Sequence, residues 1–139
     1  MRKLFSLILL SLMLNTSCNS AKINSEEPYI QLTKKRCFGK CPVYDLFIYK
    51  NGAAQYNGID NVAKKGKIEF DINSEELTSL KRLFKEANFT SLENKPNKRI
   101  RDLPITELKF GDKTVSFQGQ DIPKEIKKII KELEFIVFG

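Results

Sequence analysis

Histidine and tryptophan are absent from this 139-residue chain, and cysteine occurs only at Cys18, Cys37 and Cys41. Without histidine there is no Ser-His-Asp or Cys-His nucleophilic site and no imidazole metal ligand. A four-sulfur zinc site needs more thiolates than one copy supplies. Internal repeats and low-complexity segments are lacking, and beyond the N-terminus the longest purely apolar run is Phe135 to Phe138. What remains is ten Phe, four Tyr and many Ile and Leu, enough for a compact core without a metal. No catalytic constellation is recognisable, so the sequence points away from an enzyme and from any cofactor.

The N-terminus has the charged, apolar, small-residue order of a secretory signal: Arg2 and Lys3, then Leu4 to Leu14, then Asn15-Thr16-Ser17-Cys18. Eleven helical residues reach about 16 Å, short of the roughly 30 Å hydrocarbon core of a bilayer, which argues against a permanent span. One reading is an ordinary signal peptide cut after Ser17, with Cys18 incidental. The other rests on Leu14 to Cys18, which resembles the lipobox of bacterial lipoproteins; Asn15 stands where that pattern usually has an aliphatic residue. The resemblance implies removal of residues 1–17 and acylation of Cys18 with palmitate-type chains. Residues 18–28 then form a lipidated cysteine and polar tether, and residues 29–139 a single domain. The expected location is the bacterial cell envelope, on a membrane facing the periplasm or the cell surface.

Removing residues 1–17 takes away Arg2 and Lys3 of the 24 Lys and Arg and none of the 17 Asp and Glu, leaving a formal charge of about +5. Export argues against nucleic acid, so the basic balance points to an anionic surface or to solubility alone.

Periodicity divides the remainder into short elements. Tyr29 to Thr33 alternates as an opening strand, and Val43 to Tyr49 and Ala53 to Ile59 form a hairpin around Lys50-Asn51-Gly52. A three-residue turn with Gly52 left-handed sets Tyr44, Leu46 and Ile48 against Gly58, Tyr56 and Ala54, giving one apolar face; a two-residue turn would mix the faces. Gly66 to Ile72 is the cleanest strand, with Ile68, Phe70 and Ile72 alternating against Lys67, Glu69 and Asp71. Asn73 and Glu76 have capping-box spacing ahead of a helix ending near Asn88, whose inner face carries Leu77, Leu80, Leu83, Phe84 and Ala87. A basic loop, Glu93 to Asp102, leads to a hairpin of Ile105 to Phe110 and Thr114 to Phe117. A last helix starts near Ile122-Pro123 and turns Ile126, Ile129, Ile130, Leu133 and Val137 inward. The expected fold is α+β, in ββββαββα order, an antiparallel sheet of about six strands with two amphipathic helices on one face.

Cys37-Phe38-Gly39-Lys40-Cys41-Pro42 is the most distinctive stretch. In an oxidising compartment a disulfide is the default, and it is worth about 2 kcal/mol for a five-residue loop. A redox dithiol and a metal site shared between copies are the alternatives. Asp102, and Asp45 with Asp60, are candidate ligand or acid–base carboxylates that also fit plain surface roles. Lys124, Lys127, Lys128 and Lys131 line one side of the last helix, either as a solvated face or as a contact for anionic headgroups or polymer; Lys95, Lys98, Arg99 and Arg101 form a second such cluster. Cys37, Gly39, Cys41, Pro42 and Tyr44, with Gly52, Tyr56, Gly58, Gly66 and Asp102 to Thr106, resemble a family of bacterial lipoprotein domains known as domain of unknown function 6438. The resemblance implies an envelope address and brings no activity with it. Two functions follow as expectations: a non-catalytic, lipid-anchored module binding an envelope protein or anionic surface polymer, or a thiol-dependent redox or sensing accessory using Cys37 and Cys41.

Replacing Cys18 by Ala is expected to abolish incorporation of a palmitate analogue and leave the precursor uncleaved or the product soluble. Absence of label from the wild type, with the protein in the soluble fraction, refutes the anchor.

Overall fold

The computed structural model describes residues 22–23, 27–94, 100 and 102–139; the signal segment, Cys18, most of the tether, and Lys95, Lys98, Arg99 and Arg101 lie outside them. The elements are β1 (Ile30–Lys34), β2 (Val43–Ile48), β3 (Ala53–Asp60), β4 (Gly66–Asp71), α1 (Ser74–Glu86), a 3-10 turn (Phe89–Ser91), β5 (Ile105–Phe110), β6 (Lys113–Gln118) and α2 (Lys124–Phe138). They form an α+β domain with a six-stranded antiparallel sheet in the order β4-β3-β2-β1-β5-β6.

Alternation along each strand produces this layering. Pairing aligns one residue per strand into a row across the sheet, Ile68, Tyr56, Leu46, Leu32, Leu108 and Val115. The five from Tyr56 to Val115 are buried, with Ile30, Ile48, Ala54 and Tyr44 beside them. Both helices lie on this side. Helix α1 contributes Leu77, Leu80, Leu83 and Phe84, and α2 contributes Ile126, Ile129, Ile130 and Leu133 to the same cluster; Ala87 and Val137 pack at its margin. The opposite face is polar, with Gln31 donating to Thr33, Thr33 to Asp45, and Lys35 to Glu107.

Both hairpins take the expected registers. Tyr44, Leu46 and Ile48 face Gly58, Tyr56 and Ala54, around a turn in which Gly52 has φ of +89° and the Gly52 amide donates to the Tyr49 carbonyl. Leu108 faces Val115, and Thr106 faces Phe117. Asn73 caps α1 through the full capping box, its side chain accepting from the Glu76 amide at 2.9 Å while Glu76 accepts from the Asn73 amide at 3.0 Å. The chain leaves α1 through Asn88 at φ +49°. Pro123 is the N-cap of α2, one place before the first helical turn.

Strand β4 forms as its alternation predicts; at this last strand of the sheet Phe70 packs against the core, whereas Ile68 is 38% exposed. Alternation reports which side of a strand is apolar; it does not report whether anything covers that side.

The two sheet edges differ. Beyond β6, Asn94 accepts from the Ser116 amide at 2.9 Å and donates to the Thr114 carbonyl, and the Gln118 amide group pairs with both the N–H and the C=O of Ile100. The Asn94 side chain thus takes up two backbone groups of the β6 edge, and Gln118, on β6 itself, holds the passing backbone at Ile100. On β4, by contrast, residues Gly66 to Glu69 are all exposed.

Leu133 is fully buried whereas Phe135, two residues on, is 68% exposed. Leu133→Ala is therefore expected to lower the unfolding free energy by about 2–5 kcal/mol, against less than about 0.5 kcal/mol for Phe135→Ala, measured by urea unfolding.

Candidate functional site

The described part of the tether meets the domain at one end of the sheet. The Lys22 carbonyl accepts from Asn51 in the β2–β3 turn, and Glu27 pairs with Lys109 at 2.7 Å. Lys109 holds the Glu27 carboxyl below its ordinary value, through the hydrogen bond first and charge second.

The unusual chemistry lies at the opposite end. There β1 passes into β2 through the cysteine turn, and the Cys37 and Cys41 sulfurs are at bonding distance, 1.94 Å, with their Cα atoms 5.9 Å apart. The ring they close is too short for Phe38 to fold back, and Phe38 stands 87% exposed. Two contacts tie the ring to the neighbouring β3–β4 turn: Arg36 pairs with Asp60 at 2.9 Å, and Asn61 donates to the Cys41 carbonyl at 3.1 Å. A bulge puts them in reach. Val43 faces Asp60 while Tyr44 faces Gly58, so Ile59 is the extra residue, and it is 43% exposed.

Beneath the ring, three aromatic residues close the core. Phe138 meets Tyr44 and Tyr56 edge-on, with ring centroids 6.1 and 5.3 Å away. The Tyr44 hydroxyl donates to Glu134 at 2.5 Å, and Lys34 approaches the same carboxylate at 3.6 Å. The Tyr56 hydroxyl donates to the Lys64 carbonyl. The Lys64 ammonium donates at 2.6 Å to the Val137 carbonyl, at the negative end of α2, and lies 5.8 Å from the centre of the Phe138 ring. Gly58 is required for this closure, because a Cβ there would lie 2.0 Å from the Lys64 carbonyl oxygen. Burial first, and the Glu134 carboxylate second, push the Tyr44 phenol far above its ordinary value; burial raises Tyr56 as well.

A family model described as domain of unknown function (DUF6438) matches residues 28–137. The chain belongs to this family. Curated proteins give no match to it. Most residues that carried the resemblance gather at the cysteine end of the DUF6438 domain: Cys37 to Cys41 form the ring and Pro42 follows it, Tyr44, Tyr56 and Gly58 lie below it, and Asp102 to Thr106 lead into β5, where the Lys35 amide donates to the Ile105 carbonyl. Gly52 is at the far end.

The other candidate residues do not assemble. Asp45 accepts from Thr33 at 2.7 Å and Asp60 pairs with Arg36, each on its own partner. Asp102 is exposed. Lys124, Lys127, Lys128 and Lys131 all project from α2 as an exposed row. Among the described residues, no His, Cys, Asp or Glu group of three is arranged to hold a metal, and no helix is long and apolar enough to cross a membrane. Sequence reasoning missed Glu134 and Lys64. A signal existed for Glu134: a tyrosine assigned to a core face needs a partner for its hydroxyl, and Glu134 is an acidic position beside the apolar stripe of α2.

Ionisation of Tyr44 is easy in the unfolded chain near pH 10 and strongly opposed in the fold, so its contribution to stability is complete below that pH and falls as pH rises above it. Unfolding followed from pH 8 to 11.5 is expected to show a steep loss of stability above about pH 10 in the wild type. Tyr44→Phe should be less stable at pH 8 by about 1 kcal/mol, with a shallower slope at high pH.

Proposed function

We propose that this DUF6438 chain is a lipid-anchored module of the bacterial cell envelope that binds an envelope protein or an anionic surface polymer and performs no catalysis. Cys18 carries the lipid and joins the module to its membrane. The observation that carries the binding role is Phe38, 87% exposed on a ring closed by Cys37 and Cys41, at the sheet end away from where the tether meets the domain. The ring constrains the backbone that carries this aromatic side chain, so less backbone freedom is lost on binding than in an open loop. Lys40, exposed and two residues on in the same ring, suits an acidic partner, while Arg36 on the other side is engaged with Asp60. The bridge accords with an oxidising compartment.

A second reading, a redox or sensing accessory, draws on the same ring, whose half-exposed cysteines sit next to Arg36 and Lys40 in sequence. The two readings part over what the bridge must do. Under the binding role it stays closed in mild reductant; under the redox role it opens reversibly near the potential of the envelope oxidants.

A benzophenone amino acid at position 38, irradiated in intact cells, is expected to attach to an envelope protein or polymer. The yield should fall several-fold in a Cys37→Ser, Cys41→Ser background that frees the loop. Absence of any adduct, together with turnover of a small substrate by the purified chain, would sink the binding role in favour of an enzyme.

A further inference from the structure

Among the described residues β4 is the last strand on its side of the sheet, exposed from Gly66 to Glu69, and its sequence is complementary to itself. The Ile72 amide donates to the Gly52 carbonyl at 2.9 Å, and the ladder runs without a shift from there to Gly66. Alternation in an antiparallel ladder then turns the backbone groups of Gly66, Ile68 and Phe70 toward β3 and those of Lys67 and Glu69 outward. If a second β4 is laid antiparallel with the two-fold axis at Ile68, Lys67 meets Glu69 of the other copy and Glu69 meets Lys67. Gly66 falls opposite Phe70. The pair of Lys67 with Glu69 is of opposite sign, and the axis repeats it. Ile68 meets Ile68 in the non-hydrogen-bonded site, where side chains approach most closely.

We propose that two copies of this chain pair through β4 in that register, joining their sheets into one of twelve strands. The exposure of Ile68, 38%, is the apolar surface this pairing removes from water. Within one copy Lys67 and Glu69 neutralise each other at 2.7 Å along the strand; across the axis the same charges specify register. A six-residue edge is small for a protein interface, so the complementarity decides whether association occurs. The inference is independent of the lipid anchor and of Phe38.

The test uses the full chain with a benzophenone amino acid at position 68, irradiated in intact cells, and the unlabelled full chain in detergent by sedimentation equilibrium. A product of twice the mass is expected, with crosslinked peptides from this chain alone, together with reversible self-association in the centrifuge. Lys67→Glu places like charges opposite each other twice and should weaken association about tenfold or more. Lys67→Glu combined with Glu69→Lys reverses both signs and should restore it. A monomer at every concentration, adducts only to other proteins, or a self-product unchanged by Lys67→Glu or not restored by the double exchange would overturn the proposal.

Discussion

The ladder between β1 and β5 holds the two halves of this protein together. Strands β2, β3 and β4 follow one another as a meander beside β1, and β5 with β6 is a local hairpin; each could be drawn from neighbouring sequence alone. Only the pairing of Ile30 to Lys34 with Phe110 back to Thr106 makes them a single sheet. It closes a long stretch of chain, so its entropic cost must be met by what it completes. It completes the row in which Leu46, Leu32 and Leu108 stand side by side, and with it the surface on which α1 and α2 lie. Phe110 shows the linkage at the level of side chains, stacking on Phe84 of α1 at 4.4 Å while its strand pairs with β1.

Local chemistry made much of this legible beforehand. The turn at Gly52, the capping box at Asn73 and both hairpin registers each depend on residues a few places apart, and the Gly52 register came out of a choice between one apolar face and two mixed ones. What depended on distance did not come out. No pattern in β1 says that its second neighbour is β5 rather than β4, because alternation is the same whichever strand lies alongside. Ile68 alternates as a core residue would; its exposure follows from its place at the edge, which is a property of strand order. The bulge at Ile59 was equally hidden, since it arises where β3 meets the end of β2 beside the cysteine ring.

The cysteine end follows the same division. A turn containing two cysteines could be read from spacing, and a disulfide was its default. That the ring would be moored to Asp60 and Asn61, or that Tyr44 would find Glu134 ninety residues away, depended on the bulge and on where α2 ends. This corner is built from polar groups that satisfy one another around a small aromatic cluster. No described buried side-chain nitrogen or oxygen lacks a partner, so the corner is fixed in shape while leaving Phe38 outside it.

The amide side chain of Asn94 does more than tidy the far edge. A sheet with two open edges of the same kind has no natural end: each added copy offers a fresh edge, and growth continues toward fibrils. With the Thr114 carbonyl and the Ser116 amide of β6 taken up by Asn94 of the same chain, the pairing proposed through β4 uses the edge the two copies share and leaves a capped edge outside. One carboxamide thus acts as a chain terminator on the β6 side, while the β4 edge stays exposed.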